Sequence, residues 1–552
     1  VMITRNGNPP VVGRGYITSI CLETNKISVE MIESSLEIGE ENICIDIWES
    51  STGVDICRTN LLSLFASDNV DSIRLRELIV DSKPPVFDHF NKFVSLETQL
   101  NTNVDQTLAI NAALASKDYM LLLGMPGTGK TTTVAKLIST LAKQNQKILI
   151  ASYTHTAVDN LSLKLAEQGI NFIRIGQTTS IHEDILRYSL DKIVDEVDSI
   201  DNLRNIIDNC HIYASTCLGF NHPLISSQIF DVCIIDEASQ INVPTVLGPL
   251  SRCKRFILVG DHYQLSPIRK YHSEMNEKQQ SLFRILCEAH PHAIITLRTQ
   301  YRMNNDILQL CNNLVYNLRM RTGSTVVGNR KMKVPHPELI NEFDRIHKEW
   351  LQLAVQSDPS IVIYNTDKAK LLEKGTRGSK MNSGEAAVVS AIAISLILCG
   401  VSPNQIGIIS PYRAQVLYIW ESLEILLKNS QKYYPLLINN INEIKTQIEC
   451  HTVDKFQGRD KEIILFSSVK SNTKHSPGVH ITDWQRLNVS ITRAKSKFIL
   501  VGSLNTLNNS PFFQKMFSLL KENNFYTLPF EIDQANMKPF DSISKVSSLS
   551  ED

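Results

Sequence analysis

Cysteine spacings that build metal clusters or disulfide frameworks are missing from this sequence. Its 11 cysteines are an odd number, and no two of them form a C-x-x-C pair. A zinc or iron–sulfur site of that spacing is therefore excluded, and so is a secreted fold held by disulfides. We expect free thiols in a reducing compartment and no iron–sulfur cluster in this chain.

Net charge and long apolar runs are missing as well. The 56 basic and 57 acidic residues leave a net charge of -1, so a polyanionic partner would have to be bound by a local basic groove. The most membrane-like stretch, residues 386–401, is shorter than the about 18 residues that a membrane span needs. We therefore expect no membrane partner, and we interpret this stretch as a buried helix that leads into a strand.

The remaining composition is that of a large globular protein. Hydrophobic residues make up 43% and charged residues 20% of the 552 residues, which allows large buried cores and excludes wholesale disorder. At roughly 150 residues per domain, this length predicts three or four domains.

Two kinds of periodicity divide the first hundred residues. Short alternating runs separated by turn signals predict a small β-barrel over residues 1–68. From Asn69 the apolar spacing becomes helical, as far as the break at Pro84 and Pro85. Residues 69–102 are therefore predicted to be a helical connector.

The rest of the chain repeats a strand, a loop and a helix, which is typical of doubly wound parallel sheets in the α/β class. Apolar runs at 120–123, 148–151, 232–235 and 256–259 predict a first domain over 103–294. Within it, an acidic helical insertion is predicted at about 178–210. Runs at 361–364, 406–409, 463–466 and 498–501 predict a second domain over 295–526. The Ser-rich, acidic residues 527–552 are predicted to be disordered.

A glycine loop follows the first apolar run and matches the pattern G-x-x-x-x-G-K-[ST]. Glycines let backbone N–H groups turn around phosphates at the positive end of the next helix. Lys130 would neutralise the β- and γ-phosphates of ATP, and Thr131 would offer a hydroxyl to Mg²⁺. The residues predicted to hold the nucleotide here are Gly124, Pro126, Gly127, Thr128, Gly129, Lys130, Thr131 and Thr132.

A pair of carboxylates supplies the second element of such a site. The apolar run 232–235 leads directly into Asp236 and Glu237. Asp236 would hold Mg²⁺ together with Thr131, and Glu237 would orient or deprotonate the attacking water. These two elements specify only a nucleoside triphosphatase, because switch proteins, kinases and transporters share them.

Further motifs follow in a fixed order, at residues 236–240, 260–265, 300–303, 453–460 and 487–494. In this order and spacing the chain resembles superfamily one helicases, in the branch that contains the up-frameshift RNA helicase. The resemblance covers residues 103–502, and it implies two tandem RecA-like domains. Ser266 stands where relatives commonly have proline, a difference from which we expect little effect.

Within that branch the chain resembles the eukaryotic DNA replication helicase–nucleases, which process Okazaki flaps. RNA-acting relatives usually have a Pro-Ser-Asn core in the segment that matches residues 152–160, and this chain lacks it. No nuclease carboxylates or cluster cysteines are found here, so we expect the helicase portion of a longer protein and assign no nuclease activity to this chain. The other segments that carry the resemblance are residues 75–79, 116–119, 214–217 and 221–223.

The resemblance implies a role for each motif residue. Gln264 would sense the γ-phosphate, while Arg302 and Arg493 would supply positive charge from the second domain. Gln106 would read the adenine and Asp460 would contact the ribose, with Tyr301 also at the nucleotide. The catalytic set implied in this way is Lys130, Asp236, Glu237, Gln264, Arg302 and Arg493.

The implied function is an ATP-dependent, 5′-to-3′ single-stranded DNA translocase or helicase of replication and repair. It would work in the nucleus, with the mitochondrion as a second compartment and a single-strand-binding protein as a candidate partner. An RNA helicase of the up-frameshift type and a catalytically inactive scaffold are the alternatives. The motif positions that would contact the strand, through sequence-independent phosphate contacts, are Thr154, His155, Thr216, Tyr412, Arg413 and Thr452.

Overall fold

The chain divides into two compact units, residues 1–67 and residues 68–552. The structure is a computed structural model that describes residues 2–5, 8–21, 26–34, 43–46, 52–66, 70–88, 101–267, 280–342, 345–376, 379–433 and 440–529. The predicted disordered tail therefore lies almost wholly outside the described residues.

The first unit contains an antiparallel sheet of four strands in the order β3-β2-β1-β4. A helix, α1 (Thr52–Ala66), follows inside the segment that we had assigned to the barrel, so the helical region begins at Thr52 and not at Asn69. Asn60 and Leu64, four residues apart on one face of α1, are both buried. Barrel closure stays a prediction. The strands are β1 (Met2–Arg5), β2 (Asn8–Cys21), β3 (Lys26–Ser34) and β4 (Ile43–Asp46).

The second unit begins with α2 (Val70–Ile79), which buries Leu75, Leu78 and Ile79. This helix lies where the sequence predicted a helical connector. Residues 89–100, the remainder of that connector up to the next described segment, lie outside the described residues.

The first large sheet has seven parallel strands in the order β11-β5-β10-β9-β6-β8-β7. All four apolar runs predicted for this region are strands of the sheet. We call residues 101–297 the first lobe, because β11 extends the sheet to Leu297. Its strands are β5 (Tyr119–Gly124), β6 (Ile148–Ser152), β7 (Ile173–Arg174), β8 (Ile212–Thr216), β9 (Phe230–Ile235), β10 (Cys253–Gly260) and β11 (Ile294–Leu297).

Helices on this sheet pack a continuous apolar core against its strands. The acidic segment predicted at 178–210 lies between β7 and β8 and forms two 3₁₀ turns and two short helices, with Ile185 buried. The helices are α3 (Val104–Ala115), α4 (Lys130–Lys143), α5 (His155–Glu167), α6 (Leu190–Glu196), α7 (Ile200–Asn209), α8 (Pro223–Ser226), α9 (Val243–Leu250) and α10 (Leu282–Ala289).

The second lobe, residues 298–529, has a six-stranded parallel sheet in the order β18-β17-β19-β20-β14-β21. The four apolar runs predicted for this region are again strands. A short parallel pair and a short antiparallel pair, β12-β13 and β15-β16, accompany the sheet. The strands are β12 (Thr299–Gln300), β13 (Arg321–Thr322), β14 (Ile361–Asn365), β15 (Lys374–Thr376), β16 (Ser379–Met381), β17 (Ile406–Ser410), β18 (Glu449–Thr452), β19 (Lys461–Ser467), β20 (Ala494–Gly502) and β21 (Phe525–Thr527).

The uncharged stretch at 386–401 lies mostly in a helix, Ser383–Leu398, which is almost wholly buried and leads into β17, as predicted. Within the described part of the chain, no helix is long and apolar enough to cross a bilayer. The second-lobe helices are α11 (Asn305–Cys311), α12 (Thr325–Gly328), α13 (Arg345–Val355), α14 (Ser383–Leu398), α15 (Arg413–Tyr433), α16 (Ile441–Gln447), α17 (Val479–Thr482), α18 (Trp484–Ile491), α19 (Leu504–Leu507) and α20 (Pro511–Ser518), and a π-helical turn (Asn312–Tyr316) follows α11.

The two lobes share an apolar seam. Met125 of the glycine loop and Leu265, which follows β10, are buried in the same cluster as Met303, Ile307 and Phe456 of the second lobe. Burying such side chains removes apolar surface from water, and this favours the closed arrangement of the lobes. The seam brings the glycine loop directly against the motifs of the second lobe.

Candidate nucleotide-binding cleft

The glycine loop connects β5 to α4, as the sequence predicted. Gly127 and Gly129 have φ values of 72° and 79°, in the left-handed region that favours glycine. A Cβ atom on Gly124 would lie 2.0 Å from the Lys130 side chain, and one on Gly127 would lie 2.5 Å from Arg302. The loop is therefore a narrow backbone cradle that side chains would block, which is the form that phosphate binding requires.

Lys130 starts α4, and its Nζ donates a 2.7 Å hydrogen bond to the carbonyl of Gly124 at the end of β5. The ammonium group is thus held at the mouth of the cradle. Thr128 closes the loop on itself by donating to the carbonyl of Met125 at 2.7 Å. Pro126 lies within the loop, and Thr131 and Thr132 lie in the first turn of α4.

The predicted adenine side is assembled from both lobes. The Gln106 amide donates to the carbonyl of Thr128 at 3.2 Å, and Gln106 also forms a capping box with Asn103 at the start of α3. Asn103 Nδ2 donates to the hydroxyl of Tyr301 at 2.9 Å. The backbone N–H of Tyr301 donates to Gly127 at 2.8 Å. Sequence reasoning missed Asn103, although it lies in the same motif as Gln106.

The carboxylate pair lies at the carboxyl end of β9. Burial and the neighbouring charge of Glu237 raise the pKa of Asp236 to about 7, even though Lys130 acts in the opposite direction. Such a buried, like-charged pair is suited to a divalent cation. Asp236 and Glu237 line the same cleft as Thr131, so these residues fit Mg²⁺ held partly by phosphate oxygens. The described residues contain no group of three or more His, Cys, Asp or Glu side chains that could hold a metal ion by themselves.

Glu237 has an unusual backbone conformation for a non-glycine residue, with φ 52° and ψ 37°. Its carboxylate accepts hydrogen bonds from Gln240 at 3.1 Å and from Gln457 of the second lobe at 3.5 Å. Strained backbone of this kind is retained where the surroundings enforce it, often at functional sites. Both glutamines lie inside the quoted motifs, but sequence reasoning gave neither of them a role.

The pKa of Asp236 predicts a pH dependence of stability in the absence of nucleotide and metal. Its folded-state pKa lies above that of an unfolded chain, so the stability contributed by the protonated carboxyl is lost as the pH rises towards about 7. Asp236→Asn removes this loss. Between about pH 5.5 and about pH 8, its stability relative to the unmodified chain should rise by roughly 2 kcal/mol in chemical denaturation.

Asp231 provides the matched control, because it lies on β9, the strand that Asp236 follows, and its pKa is shifted the other way. Burial opposes the shift, but the hydrogen bond from Lys254 helps to lower the pKa of Asp231. Asp231→Asn should therefore not gain stability as the pH rises. If Asp236→Asn followed the pH dependence of the unmodified chain, the raised pKa of Asp236 would be wrong.

Arg302 lies against the glycine loop from the second lobe. Its Nε donates to Asp460 at 3.0 Å and its Nη1 to the carbonyl of Thr492 at 3.0 Å. Asp460 also pairs with Lys495 at 2.6 Å. Burial acts to raise the pKa of Asp460, but the charges of Arg302 and Lys495 outweigh it and the pKa is lowered. Asp460, the predicted ribose contact, thus forms an ion pair with Arg302, one of the two predicted catalytic arginines.

Arg493 is buried and follows α18. Its Nη2 donates to Gln264 Oε1 across the lobes at 3.2 Å, and its Nε donates to the carbonyl of Val489 at 3.1 Å. Burial, with the charge of Arg302 next, lowers the pKa of Arg493 to about 10, so the guanidinium stays charged at neutral pH. Two predicted catalytic residues from different lobes therefore meet directly.

Helix α18 fixes the loop after β10 through a second pair of contacts. Gln485 Nε2 donates to the carbonyl of His262 at 3.0 Å, and Gln485 Oε1 accepts from the Ser266 hydroxyl at 2.8 Å. A proline at position 266 has no hydroxyl and could not make this bond. Ser266 thus makes a hydrogen bond between the lobes, and the expectation that the difference at this position has little effect stays a prediction.

A cleft of about 440 Å³ opens between the lobes beside the carboxylates. Thr131, Asp236 and Glu237 line it from the first lobe. Residues of the second lobe complete it between His451 and Arg459. The described cysteines are free thiols, and the cleft contains none of them.

The predicted strand-contacting residues lie at the carboxyl ends of parallel strands in both lobes, where open α/β sheets bind ligands. Thr154 caps α5 after β6, and Thr216 ends β8. Arg413 begins α15 after β17, and Thr452 ends β18. Their role at the strand stays a prediction.

His155 is partly buried and Tyr412 is buried. Arg174, which forms a buried ion pair with Asp159, lies 3.2 Å from His155 Nδ1. Burial and this arginine lower the pKa of His155, which is therefore neutral at pH 7. Tyr412 is buried, and the roles of both residues at the strand stay predictions.

The class of the protein follows from family comparison. A family model described as an AAA domain matches residues 278–505, and a second with the same description matches residues 101–202 and 196–271. Both lobes are thus AAA domains of the P-loop class. With the ordered motifs, this shows that the chain belongs to the superfamily one helicases of the up-frameshift-like branch.

Named relatives narrow the similarity further. The chain is 36% identical over 535 residues to DNA replication ATP-dependent helicase/nuclease JHS1 of Arabidopsis thaliana, covering 94% of this chain and 37% of that protein. It is 36% identical over 527 residues to DNA replication ATP-dependent helicase/nuclease DNA2 of Homo sapiens, covering 92% of this chain and 48% of that protein. The chain thus spans less than half the length of these relatives. An arterivirus helicase structure, 14% identical and covering 73% of this chain and 62% of that one, has a TM-score of 0.35, which is too low to support an argument.

Proposed function

We propose that this chain is an ATP-dependent translocase and helicase that acts on single-stranded DNA in replication and repair. The observation that carries the proposal is the closure of the glycine loop by the second lobe, where Arg302 abuts Gly127 and Arg493 bonds to Gln264. A catalytically inactive scaffold is disfavoured, because the predicted catalytic residues are all present.

ATP would lie with its phosphates on the loop 124–131 and its adenine beside Gln106 and Tyr301. Lys130 neutralises charge on the β- and γ-phosphates, and Thr131 and Asp236 would hold Mg²⁺. Bound Mg²⁺ supplies charge neutralisation at the phosphate oxygens. Glu237, held by two glutamines, orients the attacking water and accepts its proton.

Arg302 and Arg493 stabilise the charge that develops on the γ-phosphate. They belong to the second lobe, so they reach the phosphates only when the lobes are closed. Asp460 would release Arg302 towards the phosphate while it contacts the ribose. Lobe closure is thereby coupled to hydrolysis, and repeated closure over a bound strand gives stepwise movement.

DNA is proposed as the substrate because the relatives are named as DNA replication helicase/nucleases and match nearly this whole chain. The strand would lie along the carboxyl ends of both sheets, on Thr154, Thr216, Arg413 and Thr452. We further propose that two RecA-like domains follow an N-terminal small β-barrel in the sequence. The protein would move from 5′ to 3′ and would act in the nucleus with a single-strand-binding protein as partner.

ATPase stimulation tests the substrate. Single-stranded DNA should raise kcat of ATP hydrolysis at least about tenfold, and RNA of the same sequence should raise it less. A duplex with a 5′ tail should be unwound, and one with a 3′ tail should not. Stronger stimulation by RNA would replace this proposal with the RNA helicase, and unwinding only from the 3′ tail would reverse the direction.

A further inference from the structure

A closed set of buried hydrogen bonds links Arg493 to a tyrosine that no motif includes. Gln264 Nε2 donates to Asp261 Oδ2 at 2.9 Å, and its oxygen accepts from Arg493. The hydroxyl of Tyr316 donates to the same Asp261 oxygen at 3.0 Å. Asn488 Nδ2 in turn donates to the Tyr316 hydroxyl at 2.8 Å. All five side chains are buried.

The set crosses the boundary between the lobes twice. Asp261 and Gln264 follow β10 of the first lobe, while Tyr316, Asn488 and Arg493 belong to the second. Asn488 lies on α18 and accepts a backbone bond from Thr492, the residue before Arg493. Tyr316 therefore connects the carboxylate that holds Gln264 to the helix that presents Arg493.

The Tyr316 side chain is fixed in place. It ends the π-helical turn Asn312–Tyr316, and such turns often occur at functional sites. Its ring packs edge-on against Tyr263, with centroids 5.5 Å apart. Burial, with the charge of Asp261 next, raises the pKa of its hydroxyl well above the usual range, so it remains a donor at every working pH.

We propose that Tyr316 is a positioning residue for the arginine finger Arg493, and that it acts through Asp261 and Gln264. The inference rests on the proposed ATPase function. When the lobes separate, Asp261 loses the Tyr316 hydroxyl and Gln264 loses Arg493 in the same motion. Both bonds are buried in the closed arrangement, where a hydrogen bond is electrostatically stronger than in water, so the arginine is placed only when closure is complete.

Tyr316→Phe removes the hydroxyl and keeps the ring. We expect kcat of DNA-stimulated ATP hydrolysis to fall about tenfold, the size expected for losing one buried hydrogen bond to a carboxylate. KM for ATP should stay within about twofold, because Lys130 and the glycine loop are untouched. In an Arg493→Ala background, single-turnover hydrolysis should show no further loss from Tyr316→Phe, since both changes act on the same group.

Tyr263→Phe is the matched control. It removes a hydroxyl from the ring that packs on Tyr316, and that hydroxyl lies 3.4 Å from the exposed Arg319. Its kcat should equal that of the unmodified chain. A Tyr316→Phe loss that persists in full without Arg493 would show a merely structural role and overturn the inference, as would an unchanged kcat. If the unmodified chain itself hydrolysed no ATP, the proposed function would fail instead.

Discussion

Arg493→Ala should lower kcat of DNA-stimulated ATP hydrolysis by about 10³-fold, within the range known for arginine fingers. The guanidinium is buried and donates a hydrogen bond across the lobes to Gln264, the proposed γ-phosphate sensor. The positive charge of Arg493 should stabilise the transition state much more than bound ATP, so KM for ATP should change far less than kcat. Steady-state hydrolysis with saturating single-stranded DNA measures both.

Arg284→Ala is the control for this variant. Arg284 is an exposed arginine of the first lobe that pairs with Glu288 one helical turn away, and such pairs contribute little. Its kcat should be unchanged. If kcat of Arg493→Ala fell by less than about tenfold, Arg493 would not be the arginine finger, and Arg302 would be the next residue to test.

Lys130→Ala should reduce ATP hydrolysis to background while single-stranded DNA still binds. The ammonium group sits at Gly124 in the mouth of the phosphate cradle, and no neighbouring cation of the loop can replace it. The loss should be at least about 10³-fold in kcat/KM, since charge at the transferring phosphate is the main source of catalysis in this reaction class. Fluorescence anisotropy of a labelled strand measures the binding that should remain.

Lys143→Ala tests whether any lysine of α4 has this effect. Lys143 is exposed in the last turn of the same helix, away from the phosphates. The Lys143→Ala variant should hydrolyse ATP and bind DNA like the unmodified chain. Normal turnover in Lys130→Ala would refute the assignment of the nucleotide site, and a parallel loss of DNA binding would show that the change disturbs the fold.

The parts of the site that lie within one short segment could be predicted from the sequence. An apolar run followed by glycines and a lysine predicts the phosphate loop. The prediction is possible because a strand, a turn and a helix each depend on residues that are neighbours in sequence. Asp236 and Glu237 were found in the same way, at the end of an apolar run. All eight predicted apolar runs are strands, since fully buried parallel strands need continuous hydrophobic sequence.

The parts that residue order could not decide depend on packing. The helix Thr52–Ala66 was taken as part of a barrel, because short segments can satisfy either period until one face is buried. Tyr412, which is expected at the strand, is buried, and its role there stays a prediction. The Ser266 hydroxyl donates to Gln485, a residue far away in the chain, and no local pattern could indicate that partner.

Residue order alone thus predicted the strands of two parallel sheets and the side chains expected to meet the phosphates, because those features are encoded within single turns and strands. The hydrogen-bond partners of Arg302 and Arg493 became visible only in the tertiary structure, where the two lobes pack together. Tyr316 lies 55 residues from Asp261 and 172 from Asn488, and no periodicity connects positions so far apart. Hydrogen bonds need their atoms within a few tenths of an ångström, and only the packing of one lobe on the other sets that distance.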